Sequence, residues 1–335
     1  MSSPLLEIQD LSVSFRTPSS VRGAVDHVSF SMGEGETLGL VGESGCGKSV
    51  TALSVLGLVD RSTGVVESGR ILFKGENLLR VSPGVLRRLR GNEICMIFQE
   101  PMTSLNPILS VGRQIAEPLM THKGLSKTDA YDAAVKWLER VNISLARKRM
   151  KEYPHQLSGG MRQRVMIAMA MVCGPSLLIA DEPTTALDVS TQAQILTLIE
   201  NLKADLKMSV LFITHDLGIV AQTADKVVVM YAGQVVETGS VTDIFDRPAH
   251  PYTKGLLKSI PRMGLGSTGT KKRLQAIRGS LPSPGKPIKG CRFADRCPDV
   301  FEPCRQRCPG LLTVQEDQVA RCWLYGHASQ HICPE

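Results

Sequence analysis

Three stretches of this 335-residue chain hold residue types at spacings that could do chemistry. The first, Gly42-Glu43-Ser44-Gly45-Cys46-Gly47-Lys48-Ser49, fits G-x-x-x-x-G-K-[ST] and lies between a strand-like run and the helically spaced VTALSVLGLV. Glycines let successive backbone N–H groups curl around phosphate oxygens at a helix N-terminus, where the helix dipole favours anions. Lys48 would reach the β- and γ-phosphates of a nucleotide, and Ser49 would ligate Mg²⁺. The second stretch, Leu177-Leu178-Ile179-Ala180-Asp181-Glu182, is an apolar run that ends in two carboxylates. Asp181 can hold the Mg²⁺ shell, and Glu182 can orient and polarise an attacking water. The third is the tail, where Cys291, Cys297, Cys304, Cys308 and Cys322 follow C-x₅-C-x₆-C-x₃-C-x₁₃-C. Cys₄ ligation suits a [4Fe–4S] cluster or structural zinc; the absence of paired C-x₂-C knuckles weighs against zinc. The bland alternative is a set of reduced thiols that fills a small core. Cys46 has two readings as well: a small side chain that fits the loop, or a thiol whose pKa is lowered by Lys48 and the helix N-terminus.

These residues need elements to position them. Leu5 to Phe15, Val28 to Phe30 and Thr37 to Val41 read as strands separated by Gly-rich turns, and Ile71 to Phe73 and Ile94 to Phe98 as further strands. From about Pro101 to Tyr153 the pattern turns helical and more polar, with an amphipathic stretch at Ala133 to Val141. Leu177 to Ala180 and Val210 to Ile213 read as buried parallel strands whose C-terminal ends carry Asp181 and Glu182, and Thr214 and His215. Open α/β sheets place ligands at such ends. Beyond Val241 the periodicity weakens, and GLGSTGT and SLPSPGKP are linker-like in composition.

Composition narrows the classes. With 42% hydrophobic and 21% charged residues, the chain has the make-up of a globular protein, not a disordered or fibrous one. Its longest apolar run, Val165 to Cys173, is about half of what a membrane-spanning helix needs, and MSSPLLEIQD lacks the pattern of an export signal. Residues 1–245 carry 24 Lys+Arg against 25 Asp+Glu, whereas residues 246–335 carry 15 against 7, so the net charge of +7 belongs to the tail. A basic tail could face nucleic acid or anionic lipid, or be a solvated surface. Six of the nine cysteines crowd that same tail, which fits a local metal site better than a secreted disulfide scaffold.

Leu157-Ser158-Gly159-Gly160-Met161, followed by RQRVMIAMA and the strand ending at Asp181-Glu182, resembles the signature sequence of ATP-binding cassette ATPases, with Met where Gln is commonest. The resemblance implies that Ser158, Gly159 and Gly160 close on ATP held by the phosphate loop of a second subunit, residues Gly42 to Ser49 with Val50 beside them. It further implies that Gln99 touches Mg²⁺ and the water and joins the core to the helical insert, that Asp188 lies on the loop crossing to the partner, and that His215 senses the γ-phosphate. Phe15 is the candidate for stacking on adenine. Beyond the cassette, FQEPMTSLNP, RPAHPYTKGLL and the Cys-rich end resemble the ATPase subunits of bacterial dipeptide, oligopeptide and nickel importers. That branch implies a second, homologous ATPase subunit, two transmembrane permease subunits, an extracytoplasmic solute-binding protein and a peripheral place on the cytoplasmic face of the inner membrane. It favours Cys291, Cys297, Cys304 and Cys322 as iron–sulfur ligands, with Cys308 as the competitor and Cys333 free.

The expectation is thus an α/β P-loop NTPase cassette. Residues 1–245 would form it, with a RecA-like core, an antiparallel β subdomain and a helical subdomain at about 101–160. Residues 246–335 would form a small Cys-rich extension. Its activity would be ATP hydrolysis that powers import of short peptides, with nickel or glutathione as alternative solutes. A soluble cassette ATPase acting on nucleic acid is the reading from a different class, and a redox sensor at the tail could coexist with transport.

Overall fold

The structure is a computed structural model, and it describes residues 3–18, 20–99, 104–185, 187–260, 277–282 and 288–326. Pro101 to Thr103 of the Pro-punctuated entry, GLGSTGT, most of SLPSPGKP and Cys333 lie outside them. The strands, in chain order, are β1 (Leu6–Thr17), β2 (Ser20–Met32), β3 (Thr37–Val41), β4 (Gly64–Phe73), β5 (Glu76–Asn77), β6 (Ile94–Ile97), β7 (Leu177–Asp181), β8 (Ser209–Thr214), β9 (Lys226–Tyr231), β10 (Gln234–Ser240), β11 (Leu312–Gln315) and β12 (Gln318–Ala320). The chain divides into two compact units: Met1–Leu5 with Gly33–Thr37 and Lys74–Ile213, and Leu6–Met32 with Leu38–Phe73 and Thr214–Glu335.

In the first unit β6, β7 and β8 are parallel, with Ile94 opposite Leu177 and Leu177 opposite Ser209. Every residue of β7 and β8 is buried, so these strands read as unbroken apolar runs instead of alternating ones. The helices supply the other layer. Val111–Lys123 buries Val111, Ile115 and Leu119, and Lys127–Arg140 buries Ala130, Ala134 and Leu138, the four-residue spacing of a one-sided helix. Ser126 caps the latter by accepting the Asp129 N–H. Gly159–Met171 instead buries Val165, Met166, Ile167, Ala168, Ala170 and Met171, which is why its apolar run looked long in sequence. Among the described residues no helix is long and apolar enough to cross a membrane.

The second unit holds two sheets. In one, β1 runs antiparallel to both β2 and β4, with Leu6 opposite Met32 and Phe73. In the other, β3 is parallel to β9, β9 is antiparallel to β10, and β12 and β11 follow. Ala232 and Gly233 turn β9 into β10 with φ of 46° and 87°, the double positive φ that suits the twist of a tight hairpin. The C-terminal extension is built into this sheet: Glu237 of β10 pairs with Ala320 of β12. Its helix Pro251–Lys258 sends Tyr252 into a core shared with Tyr231 and Phe293, all three fully buried, with ring centroids 4.7–5.4 Å apart. The weak periodicity beyond Val241 therefore conceals two short helices, Val241–Asp246 and Pro251–Lys258. Ser240 and His250 cap them.

Candidate functional site

In the second unit, the loop of residues 42–47 joins β3 to the helix Lys48–Val55. Two of its glycines are obligatory. Gly47 starts the helix at φ 104°, where a Cβ would lie 2.5 Å from the Ala24 carbonyl oxygen. At Gly42, φ 153°, a Cβ would collide with the Met230 carbonyl oxygen. Lys48 is 5% exposed and folds back on the loop, its Nζ donating to the carbonyls of Gly42 at 2.8 Å and Glu43 at 3.1 Å. A lysine held over loop carbonyls is ready to exchange them for the oxygens of a phosphate. Ser44 and Gly45 at the tip are exposed, and Ser49 and Val50 in the first turn are half-buried.

The loop is also gripped from outside. The Gly233 N–H donates to the Cys46 carbonyl at 2.9 Å. The Glu43 N–H donates to the Tyr252 hydroxyl at 2.9 Å, and the Glu43 carboxylate takes both arms of the Arg296 guanidinium, at 2.8 and 2.9 Å. Glu43 thus faces the C-terminal extension. Of the two readings of Cys46, the structure fits the small side chain and not the thiol of lowered pKa. The residue is fully buried, and desolvation pushes the thiol up by more than the Lys48 charge pulls it down. It acts as a small loop-filling side chain.

Phe15 sits near the end of β1, half-buried, opposite Gly64 and Arg22. That leaves part of its ring available for stacking. His215 is exposed, just past the end of β8.

In the first unit Asp181 closes β7 and is 4% exposed. Glu182 follows in the left-handed region at φ 46°, which costs a non-glycine residue about 1–2 kcal/mol. Its carboxylate Oε2 accepts from Gln99 Nε2 at 2.9 Å and from Thr185 Oγ1 at 3.0 Å, and its N–H donates to Ile213. Gln99 and Glu182, 83 residues apart, are therefore brought together. Ser158 caps the helix Gly159–Met171 by accepting the Met161 N–H, and the cap with Gly159 lies exposed. Gln163, one turn in, donates to the Pro183 carbonyl at 2.5 Å and so ties this helix to the segment after Glu182. Asp188 caps the helix Val189–Leu206 through the N–H and hydroxyl of Thr191, and these bonds hold its carboxyl below the usual range.

Ser49, Gln99 and Asp181 present the oxygen donors that Mg²⁺ prefers. The tail thiols are a different case. Burial raises Cys291 to about 12 and Cys322 to about 11 and also lifts Cys297, and Cys304 adds to the rise of all three. These four are electrostatic neighbours. The Cys308 Sγ lies against the Gln234 side chain and the Pro309 carbonyl. Among the described residues no group of three or more His, Cys, Asp or Glu is arranged to hold a metal ion.

Sequence reasoning left out Arg296, Tyr231, Thr185 and Gln163. Tyr252 stood inside a quoted motif without a role. The available signal was Arg296 itself, a cation in the turn between Cys291 and Cys297.

The ABC transporter family profile matches residues 25–185, and the profile of the oligopeptide/dipeptide transporter C-terminal region matches residues 236–304. The oligopeptide transport ATP-binding protein AppD of Bacillus subtilis is 51% identical over 96% of this chain and 97% of its own. The dipeptide transport ATP-binding protein DppD of the same organism is 49% identical over 98% and 96%. Among solved structures, CbiO1 of Clostridium perfringens, part of the ABC transporter complex CbiONQ, is 27% identical with a TM-score of 0.61 over 73% of this chain and 92% of that one. The ATP-binding cassette MJ0796, solved as a dimer bound to ADP and Pi, shares the fold at 24% identity and TM-score 0.63, covering 70% of this chain and 98% of that one. The phosphate loop, the carboxylate-tipped strand and the Ser-capped signature helix thus stand in a chain that belongs to the ATP-binding cassette transporter ATPases, in the branch that carries the oligopeptide/dipeptide C-terminal region.

Proposed function

We propose that this chain binds and hydrolyses ATP to power import of short peptides as the ATPase subunit of a multi-subunit transporter. The observation that carries the reading is the full-length likeness to AppD and DppD, which continues from the cassette through the C-terminal region. Residues 42–50 bind the phosphates, with Lys48 exchanging loop carbonyls for phosphate oxygens, and Phe15 stacks on the adenine. Ser49, Gln99 and Asp181 would hold Mg²⁺, which neutralises charge on the β- and γ-oxygens. Glu182 accepts the proton of the attacking water, Gln99 fixes the orientation of that carboxylate, and His215 senses the γ-phosphate. Ser158, Gly159, Gly160 and Asp188 serve the ATP of a second ATPase subunit, a pairing supported by the dimeric state of MJ0796. Two permease subunits, fed by an extracytoplasmic binding protein, would hold the pair at the cytoplasmic face of the inner membrane.

A soluble ATPase acting on nucleic acid draws only on the basic tail. Three of the tail's arginines are spent internally: Arg292 on Asp26, Arg296 on Glu43, and Arg321 on the carbonyls of Val235 and Pro309. Proteoliposomes holding the chain with its permease and ATPase partners, with the binding protein supplied outside, are expected to accumulate a labelled dipeptide when ATP is inside. Accumulation of nickel or glutathione instead would correct the solute, and no ATP-dependent uptake of any of these would remove the importer reading.

We further propose that Cys291, Cys297, Cys304 and Cys322 ligate a [4Fe–4S] cluster, with zinc as the alternative metal. Its support is the thiol chemistry and the electrostatic proximity of these four. Protein purified anaerobically is expected to contain about four irons and four sulfides per chain. Cys297→Ser should lose them and Cys308→Ser should keep them. Zinc in place of iron would correct the metal, and no metal, or loss in the Cys308 variant, would refute this ligand set.

A further inference from the structure

The C-terminal extension reaches the phosphate loop through one side chain. Arg296 closes the short turn Ala294–Arg296, between Cys291 and Cys297, and its guanidinium is 6% exposed. Nη1 and Nη2 each take one oxygen of Glu43, and Nη1 also lies 3.3 Å from the Tyr231 hydroxyl. Nε is occupied as well, donating to the Arg278 carbonyl at 3.0 Å, and the guanidinium carbon lies 5.6 Å from the Tyr231 ring centroid. The cation thus has anchors besides Glu43, which hold its place in the extension. Glu43 is the second residue of the phosphate loop, and its N–H is held independently by Tyr252. The partner of the Glu43 N–H and the partner of its carboxylate both belong to the region after residue 245, 209 and 253 residues along the chain.

We propose that Arg296 is a positioning residue for nucleotide binding: its two-armed pair with Glu43 holds the phosphate loop in its binding shape, so the extension sets nucleotide affinity. A loop held in shape before the ligand arrives has less conformational freedom to lose on binding. The same loop shape serves ground and transition states, so loss of the pair weakens binding and leaves the rate of the bound complex little changed. Lysine cannot reproduce the fork, so Arg296→Lys should fall between wild type and Arg296→Ala.

The inference rests on residues 42–49 being the nucleotide site. Titration of the full-length chain with a fluorescent ADP and Mg²⁺ tests both. Wild type that does not bind, or binding unaffected by Lys48→Ala, would remove that reading and this proposal with it. Given binding that needs Lys48, Arg296→Ala is expected to raise the dissociation constant about tenfold and Arg296→Lys about threefold. Glu43→Gln with Arg296→Ala should lose no more than Arg296→Ala alone, because the two residues act as one pair. In the assembled transporter, KM for ATP should rise with kcat held. An Arg296→Ala constant within about twofold of wild type, or losses that add in the double variant, would overturn the proposal. Should Arg296→Ala fail to fold, Glu43→Gln keeps the size of the side chain and removes the anionic half of the pair. It is expected to weaken ADP binding about threefold, and unchanged affinity there would overturn the proposal.

Discussion

Glu182→Gln is expected to slow ATP hydrolysis by about 10²–10⁴-fold, the range associated with removal of a general base. Nucleotide affinity should stay within about threefold of wild type, because the phosphates are held by other residues. The geometry makes the substitution a clean one. Glu182 Oε2 accepts from Gln99 and Thr185, and the oxygen of a glutamine amide can accept from both. The backbone is fixed by the bond from its N–H to Ile213, so the strained φ of 46° is retained. What disappears is the negative charge that draws a proton from water. The measurement is phosphate release under saturating ATP in the assembled transporter, alongside nucleotide titration of the isolated variant. Turnover near that of wild type would take Glu182 out of the base role. Gln99→Ala should give a smaller loss, since it frees the carboxylate to reorient but leaves its charge.

The left-handed backbone at Glu182 has a further consequence. A residue held in a costly conformation immediately after a fully buried strand persists only if its neighbours over-determine it. Here they do: Gln163 holds Pro183 on one side, and the Ile213 carbonyl holds the Glu182 amide on the other. Strain at this position fits a carboxylate aimed by its surroundings rather than by its own rotamer preference.

Much of this was legible in the sequence, for physical reasons that differ from element to element. Buried parallel strands announce themselves as short apolar runs, so β3, β7 and β8 fall within one residue of where the pattern places them. Gly42 and Gly47 were legible because close backbone approach leaves no other residue possible. β2 was read only as Val28 to Phe30 although it spans 13 residues: its first four residues are exposed and carry no apolar alternation. Gln99 and Glu182 could be placed at one site only through a family resemblance, since nothing local links residues 83 apart. Arg296 shows the limit most plainly. Its role depends on a partner 253 residues away and on aromatic neighbours that burial alone brings together, and no local pattern encodes either. Cys46 left two readings open because its charged neighbours show in the sequence whereas desolvation, which decides the direction of the shift, does not.

Acid is expected to destabilise the second unit through His250. This residue is 1% exposed, and its Nδ1 caps the helix Pro251–Lys258 by accepting the Tyr252 N–H at 3.0 Å. Burial pushes its pKa down to about 3; the charges of Arg321 and Lys254 act in the same direction, against a backbone hydrogen bond at Arg321. The Glu237 carboxylate faces it too, holding its backbone N–H at 2.8 Å. Between about 3 and the ordinary value near 6.5 the unfolded chain carries a proton that the folded chain lacks, so stability falls as pH falls through that window. At about 1.4 kcal/mol per pH unit, going from pH 7 to pH 5 should remove about 2 kcal/mol. His250→Asn keeps a capping oxygen and has no proton to gain, so its urea midpoint should change less between those pH values than that of wild type. Equal changes in the two proteins would rule out His250 as the source.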